Sequence, residues 1–458
     1  MTAPTTILTS FSGISDPGNY PPENALAVGP ESIVTAESVP YEVTNLSGGA
    51  ATTGSQFQLF SSLGPTLDNS VFDTRAAYDS STGRFVLIAN NLQPGGTATN
   101  IDIAISKDSN PADGWFVGSI DTSNGGTTQS DMPCLSVSGG NICITAPEFS
   151  GSPLVGSSEW VVSESSIASG SPQILASATT PAADAIMRNV SANGVTYYVS
   201  AQSNASQTQL TYQTYSAASG FSAPQTLMLG NSDKGPIGGD YAAQQAGTSL
   251  TLDAGDARIE SLAYANGYLY GVSETLPTGA SAPEIHWFKL DVSNPASPQL
   301  VIQGDLSGSL LGDPNIALFN ASIAVDGRGD VLINFTASGP NMDPSDYYVV
   351  QGAQDSSFGT PTLYQASTSY FEQSPGAREC SAGGPTRAPS PTRRARTVSG
   401  SRTNTSPAQA SRFRAVSAPG GTRWSRMCRS PHMCRFSAAP GRRRPLRKAA
   451  PLRRSTPH

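Results

Sequence analysis

Six times along the chain, two short runs of alternating apolar residues flank a turn rich in glycine or small polar residues. The clearest copy covers 322–335. Ile323 and Val325 alternate with small residues before the turn, and Val331, Ile333 and Phe335 alternate after it. Asp326, Gly327 and Gly329 supply the turn, because glycine reaches positive φ without a Cβ clash. The other copies cover 25–36, 77–89, 134–145, 190–200 and 261–272, turning at Gly29-Pro30, Ser81 to Gly83, Gly139-Gly140, Asn193-Gly194 and Asn266-Gly267. Two strands joined by Asn-Gly, Gly-Gly or Asp-Gly form one of the stronger hairpin signals a single sequence can carry.

A lone hairpin is marginal in water, so each copy needs further strands. Segments such as 207–215 and 284–292 supply them. A recurrence every ~50 to 70 residues implies one repeated sheet. The expected fold is therefore all-β: a β-propeller of about seven blades, the last missing or disordered. A pair of unrelated β-sandwiches is the competing architecture. No sustained three-four spacing of apolar residues argues for long helices.

Composition agrees. The 458 residues include 45 Gly and 35 Pro, and only 13% are charged, as expected of a turn-rich β protein. No run of about 18 apolar residues exists, so no membrane-spanning helix is expected. The first residues, Met1-Thr-Ala-Pro-Thr-Thr, have neither a basic start nor an apolar core, so no signal peptide is visible. The scarcity of lysine still suggests an exported protein, extracellular or periplasmic.

The net charge of -7 conceals a step. Through Ala377 there are 8 Lys plus Arg against 33 Asp plus Glu; from Arg378 onward there are 19 against one, Glu379. Such a step marks a boundary, with a propeller domain over 1–375 and an Arg/Pro/Ser-rich tail over 376–458. The tail's composition cannot bury enough apolar surface to fold. A basic tail invites a nucleic-acid reading, but a frame change explains it better. Read two bases later, with permitted synonymous codons, the triplets of 397–406 spell Gly-Phe-Trp-Val-Ser-Asp-Glu-Tyr-Ile. Those of 420–429, shifted likewise, spell Trp-Asp-Ala-Val-Val-Ala-His-Val-Ser. Both alternate as strands do, and together they restore a seventh repeat. A frameshift near 374–384 is expected, with no nucleic-acid partner and no regular strand beyond about Ser374.

The stretch Pro21-Pro-Glu-Asn-Ala-Leu-Ala-Val-Gly-Pro30 resembles the Pro-Pro-Asp-Thr-Asn-Gly-x-Val-Gly-Pro opening of secreted bacterial sialidase-like β-propeller proteins. Phe72-Asp-Thr-Arg-Ala-Ala-Tyr-Asp79 with Thr82-Gly-Arg-Phe85 is similar to that group's Asp-Pro-Arg-Val-x-Tyr-Asp…Gly-Arg-Trp/Phe segment. Gly255-Asp-Ala-Arg-Ile259, Asn266-Gly-Tyr-Leu269, Ser322-Ile-Ala-Val325 and Ala337-Ser-Gly-Pro340 also resemble it. The resemblance implies the propeller, over about residues 10 to 375, and little about activity. Glu23 and Ala25 stand where the group has Asp and Asn.

Sialidase chemistry needs three arginines on the substrate carboxylate, a Tyr/Glu nucleophile pair and an acid. The body offers Arg75, Arg84, Arg188, Arg258 and Arg328, with Arg84 and Arg328 in hairpin turns. Asp73 with Arg75, and Asp256 with Arg258, read as ion pairs within blades and as the candidate ligand-binding residues. No catalytic residue is assigned, and Asp131, ahead of a hairpin, carries no distinctive signal. Asp253 and Asp256, like Asp16 and Asn19, have the oxygens to hold calcium, against the commoner role of capping turns; otherwise no cofactor is expected. Cys134 and Cys143 flank one hairpin, so they form either a cross-strand disulfide or two buried thiols. His286 lies in an aromatic strand and reads as packing. Arg328-Gly-Asp330 spells an adhesion tripeptide where a turn wants those residues. The expected function is a monomeric, non-catalytic exported propeller that binds a polysaccharide or surface protein through its loops. The alternative is a sialidase-like glycoside hydrolase acting on an extracellular polysaccharide.

Overall fold

The computed structural model describes residues 6–371, apart from 16–23, 38, 50–51, 65–70, 94–97, 152, 182–186, 205–206 and 230–240, together with 410–417. Each recurring hairpin is the inner pair of a separate antiparallel sheet. The six sheets follow the chain: Ala25–Val28 to Thr52–Ser55, Val71–Asp79 to Trp115–Asp121, Gln129–Ser130 to Ile174–Pro181, Arg188–Ala192 to Gln225–Met228, Ile259–Ala265 to Gln299–Leu306, and Ala317–Val325 to Thr362–Gln365. Within each sheet, strands pair in sequence order. The third adds an extra inner segment and the fourth an extra outer one. This is a propeller of six blades among the described residues, rather than the expected seven.

Turn chemistry sets these hairpins. Asn193 and Asn266 sit at φ 52°, followed by Gly194 at 78° and Gly267 at 84°. Two successive left-handed residues match the right-handed twist of the flanking strands.

The blades bury both faces. In Arg84–Leu92 of the second blade, Phe85 and Leu87 pack with Val34 and Val43 of the first. Val86 and Ile88, pointing the other way, pack with Ile142 and Ile144 of the third. Comparable clusters join the third to the fourth through Val161 and Tyr198, the fourth to the fifth through Val199 and Phe288, and the fifth to the sixth through Trp287 and Ile333. No such cluster joins the sixth to the first among the described residues. There each outer face has a cluster of its own.

Two further pairs of strands flank the blades. Ala242–Ala243 and Leu252–Asp253 form a small hairpin that packs Tyr241 and Ala243 against Ala317 and Phe319 of the sixth blade. The N-terminal strand Thr6–Ser15 pairs antiparallel with Ala410–Ser417. This corrects the expectation of no regular strand beyond Ser374. Ser-Arg-Phe-Arg-Ala-Val-Ser alternates in its own right, and Thr6–Ser15 presents it with an edge. The rest of the 376–458 tail lies outside the described residues. Among those described, no helix is long and apolar enough to cross a membrane.

Cys134 and Cys143 are free thiols, so the disulfide alternative gives way. The register explains it: Cys134 faces Thr145, and Cys143 faces Ser136. Such diagonal neighbours lie ~7 to 8 Å apart, beyond the Cβ spacing a disulfide accepts. Instead Cys134 Sγ accepts from Arg188 Nη1 at 2.8 Å, and Cys143 Sγ lies 3.1 Å from Thr196 Oγ1. Unfolding the protein without reductant should let an alkylating reagent label both cysteines, as read by peptide mass spectrometry.

Several carboxyls are buried with little compensation. Burial pushes Glu159 up to about 8, despite a hydrogen bond from Thr180, and Glu148 up to about 7, despite Thr128 and Ser158. Glu164 also rises to about 7, through burial first, with the neighbouring Asp79 adding to it. Each folded value lies above the unfolded one. The three therefore favour the fold fully below about pH 4.5 and lose that contribution as pH climbs through 7 to 8. Asp79 is lowered: burial opposes its ionisation, but the Ser81 hydroxyl and the amides of Gly140 and Ser81 outweigh it. Its contribution is lost only as pH falls below the ordinary aspartate range. Thermal melts should give a higher Tm at pH 5 than at pH 8, with the difference reduced in Glu159→Gln and the remainder left to Glu148 and Glu164.

Candidate functional site

The inner strands do not run straight. Pairing slips between Phe72 and Arg75 in the second blade, Ile259 and Ser261 in the fifth, and Phe319 and Ser322 in the sixth. Asp73 and Asn320 at these slips have φ 54° and 52°; Met132, just ahead of the third blade's inner strand, has 43°. Positive φ costs an ordinary side chain about 1 kcal/mol or more, and bulges of this kind re-aim side chains. They recur at the end of the blades opposite the hairpin turns.

Two carboxylates converge at one such bulge. The Met132 N–H donates to Asp73 Oδ2 at 2.6 Å and to Asp131 Oδ1 at 3.0 Å. Asp73 comes from the second blade and is buried; Asp131, between Gln129–Ser130 and Cys134–Ser138 of the third, is half-buried. Both oxygens approach a single nitrogen. They therefore lie closer together than the ~6.5 Å that water-activating carboxylate pairs need. A hydroxyl network holds the segment beneath them. Ser130 N donates to Thr99 Oγ1 at 2.6 Å, and Ser130 Oγ lies 2.8 Å from both Thr99 Oγ1 and Thr122 Oγ1. The Asp131 N–H donates to Pro147 O, and Glu148, the next residue, faces Ser130 across the sheet.

The charged residues around the rim are engaged by main-chain and side-chain groups of the blades. Arg75 Nη1 donates to the Thr74 carbonyl at 2.9 Å. Arg188, only 6% exposed, reaches both neighbouring blades: Nε donates to the Ile259 carbonyl at 2.9 Å, Nη1 to Cys134 Sγ, and Nη2 lies 3.8 Å from Glu260 Oε2. Glu274 Oε1 accepts from Ala321 N at 3.1 Å, holding the sixth blade's bulge. Burial pushes Glu274 well above the ordinary carboxyl range, reinforced by Glu260 and Asp256.

The other sequence candidates fall into structural roles. Asp256 Oδ1 takes the Arg258 side chain at 2.6 Å and its backbone N–H at 2.9 Å, the ion pair the sequence suggested. Asp253 Oδ1 accepts from Gly255 N at 2.8 Å, an Asx turn. No three His, Cys, Asp or Glu side chains converge as a metal site among the described residues; Asp16 and Asn19 lie outside them. His286 Nδ1 pairs with Asp305 at 2.6 Å inside the fifth blade. The Arg328 guanidinium is clamped between Asp326 and Asp330, so the adhesion tripeptide's two charges hold each other.

No protein-family model matches the chain, and no curated protein matches it. Solved structures do. An exo-β-1,3-galactanase from Phanerochaete chrysosporium is 10% identical with a TM-score of 0.35, covering 77% of this chain and 98% of its own. A GH62 α-L-arabinofuranosidase catalytic domain from Coprinopsis cinerea is 9% identical with a TM-score of 0.35, covering 78% and 95%. Drosophila plexin A in complex with semaphorin 1b scores the same 0.35 at 7% identity, covering 80% of this chain and 81% of its own. The galactanase, the arabinofuranosidase and plexin A match with the same TM-score, so these likenesses carry no argument about what the chain does.

Proposed function

We propose that the chain is a glycan-directed propeller that hydrolyses a glycosidic bond at the Asp73–Asp131 pair. The observation that supports this is the convergence of two carboxylates from different blades on the Met132 amide, at backbone positions kept left-handed at a cost. In such chemistry one carboxyl gives its proton to the leaving oxygen as the glycosidic C–O bond breaks. The other carboxylate bonds to the anomeric carbon, and water then displaces it. The short spacing favours this retaining route. The rim arginines are engaged internally, which speaks against a substrate carboxylate held by three arginines and against sialic acids. Neutral polysaccharides are the substrate class.

A second reading keeps the site non-catalytic, binding a polysaccharide or surface protein through the loops. It is favoured by the bond from Met132 that already occupies Asp73. Release of reducing sugar from a panel of neutral polysaccharides separates the two: turnover on none of them, with retention on one in affinity electrophoresis, selects the binding module. Export and a monomeric state remain part of the proposal on composition alone. Calcium in the Asp253–Asp256 loop would have to compete with the Gly255 and Arg258 N–H groups that both carboxylates already accept.

A further inference from the structure

The seam between the sixth and first blades differs from the other five. The far face of the sixth blade gathers Leu332, Tyr348, Val350 and Tyr364, all its own residues. The far face of the first gathers Leu26, Val28, Ile33 and Leu46, and among the described residues Phe11 of the N-terminal strand joins them from outside. Phe11 lies so close over Gly48 that a Cβ there would fall within its ring. Thr6–Ser15 therefore occupies the place where a neighbouring blade would sit, and its pairing with Ala410–Ser417 brings the two chain ends together there.

We propose that this seam seats a seventh blade. Thr6–Ser15 gives it one strand, and the coding region downstream of Phe371 gives the rest, in the frame offset by two bases. Residues 372–458 match the length of one repeat with room to spare. As written, that region offers a single described strand where a blade needs three more, and it carries 19 Lys plus Arg. Arginines of that number cannot be buried between two blade faces without partners. With permitted synonymous codons, the offset frame puts two aromatic or valine-rich alternating stretches in their place, suited to the faces of the first and sixth blades. Closing a propeller with strands from both chain ends ties the last blade to the first through main-chain hydrogen bonds.

The experiment compares three chains: as written, ended after Phe371, and with the frame restored from 374–384 onward. Amide hydrogen exchange is read at Thr6–Ser15, with a thermal melt of each. The restored chain should exchange at Thr6–Ser15 at least ~10-fold more slowly than the other two and melt in one sharp transition. Equal protection in the chain as written overturns the proposal and makes the Arg-rich region the closing element. A restored chain that is no better protected than the one ended after Phe371, or that fails to fold, overturns it too.

Discussion

Asp131→Asn and Asp73→Asn should each abolish glycosidic hydrolysis, by on the order of 10³-fold or more in kcat, while leaving the fold in place. The fold survives because asparagine keeps an acceptor oxygen for the Met132 N–H. Asparagine is also among the few residues that tolerate the left-handed region Asp73 occupies. What is lost is the proton donor or the attacking oxygen. Azide should restore turnover in whichever variant lacks the nucleophile. Unchanged kcat in both would remove the pair from catalysis and leave the binding reading. A matching fall in Tm would instead show that the pair only ties the second blade to the third.

Arg188→Leu should be the most destabilising single change in the body, by roughly 3 to 5 kcal/mol. It strips the Ile259 carbonyl of its donor and leaves Glu260, 12% exposed at its side chain, without the cation beside it. Arg188→Lys should recover little, since one ammonium cannot serve a carbonyl, a sulfur and a carboxylate on three headings. Adding Glu260→Gln to Arg188→Leu should return part of the loss, as read from denaturant midpoints in a double-mutant cycle. A loss under about 1 kcal/mol for Arg188→Leu, the level of an ordinary surface substitution, would show that the rim tolerates an open space there.

The architecture was legible because it rests on local signals. Asn193-Gly194 and Asn266-Gly267 declare their turns, and the alternation on either side declares the strands. The count of blades was not, since the seventh depended on residues whose written sequence does not alternate as a blade requires. The site was least legible. Asp131 looked ordinary because its proposed role rests on the left-handed Met132 beside it and on Asp73, separated from it by most of a blade. Neither the bulge nor the approach leaves a pattern along the chain. Arg188 was visible as one of five arginines, but nothing in its neighbours marks it as spanning three blades. Cys134 and Cys143 show the reverse error: their hairpin spacing suggested a bond, and a two-residue offset in register prevents it.

Five of the cross-blade hydrogen bonds share a heading, whereas Arg188 and Asn189 of the fourth blade reach back to Cys134 and Cys143 of the third. Asp73 and Asp79 of the second blade hold Met132 and Gly140 of the third. Asn193 reaches from the fourth to Tyr264 of the fifth, and Glu274 and Asn266 from the fifth to Ala321 and Gly327 of the sixth. In each of these five a side chain made earlier meets a group made later, Asp73, Asp79 and Glu274 accepting and Asn193 and Asn266 donating. During synthesis, the second, fourth and fifth blades thus present docking groups before the next hairpin leaves the ribosome, so at those joints assembly can ratchet forward one sheet at a time, while the fourth blade brings its own donors to the third.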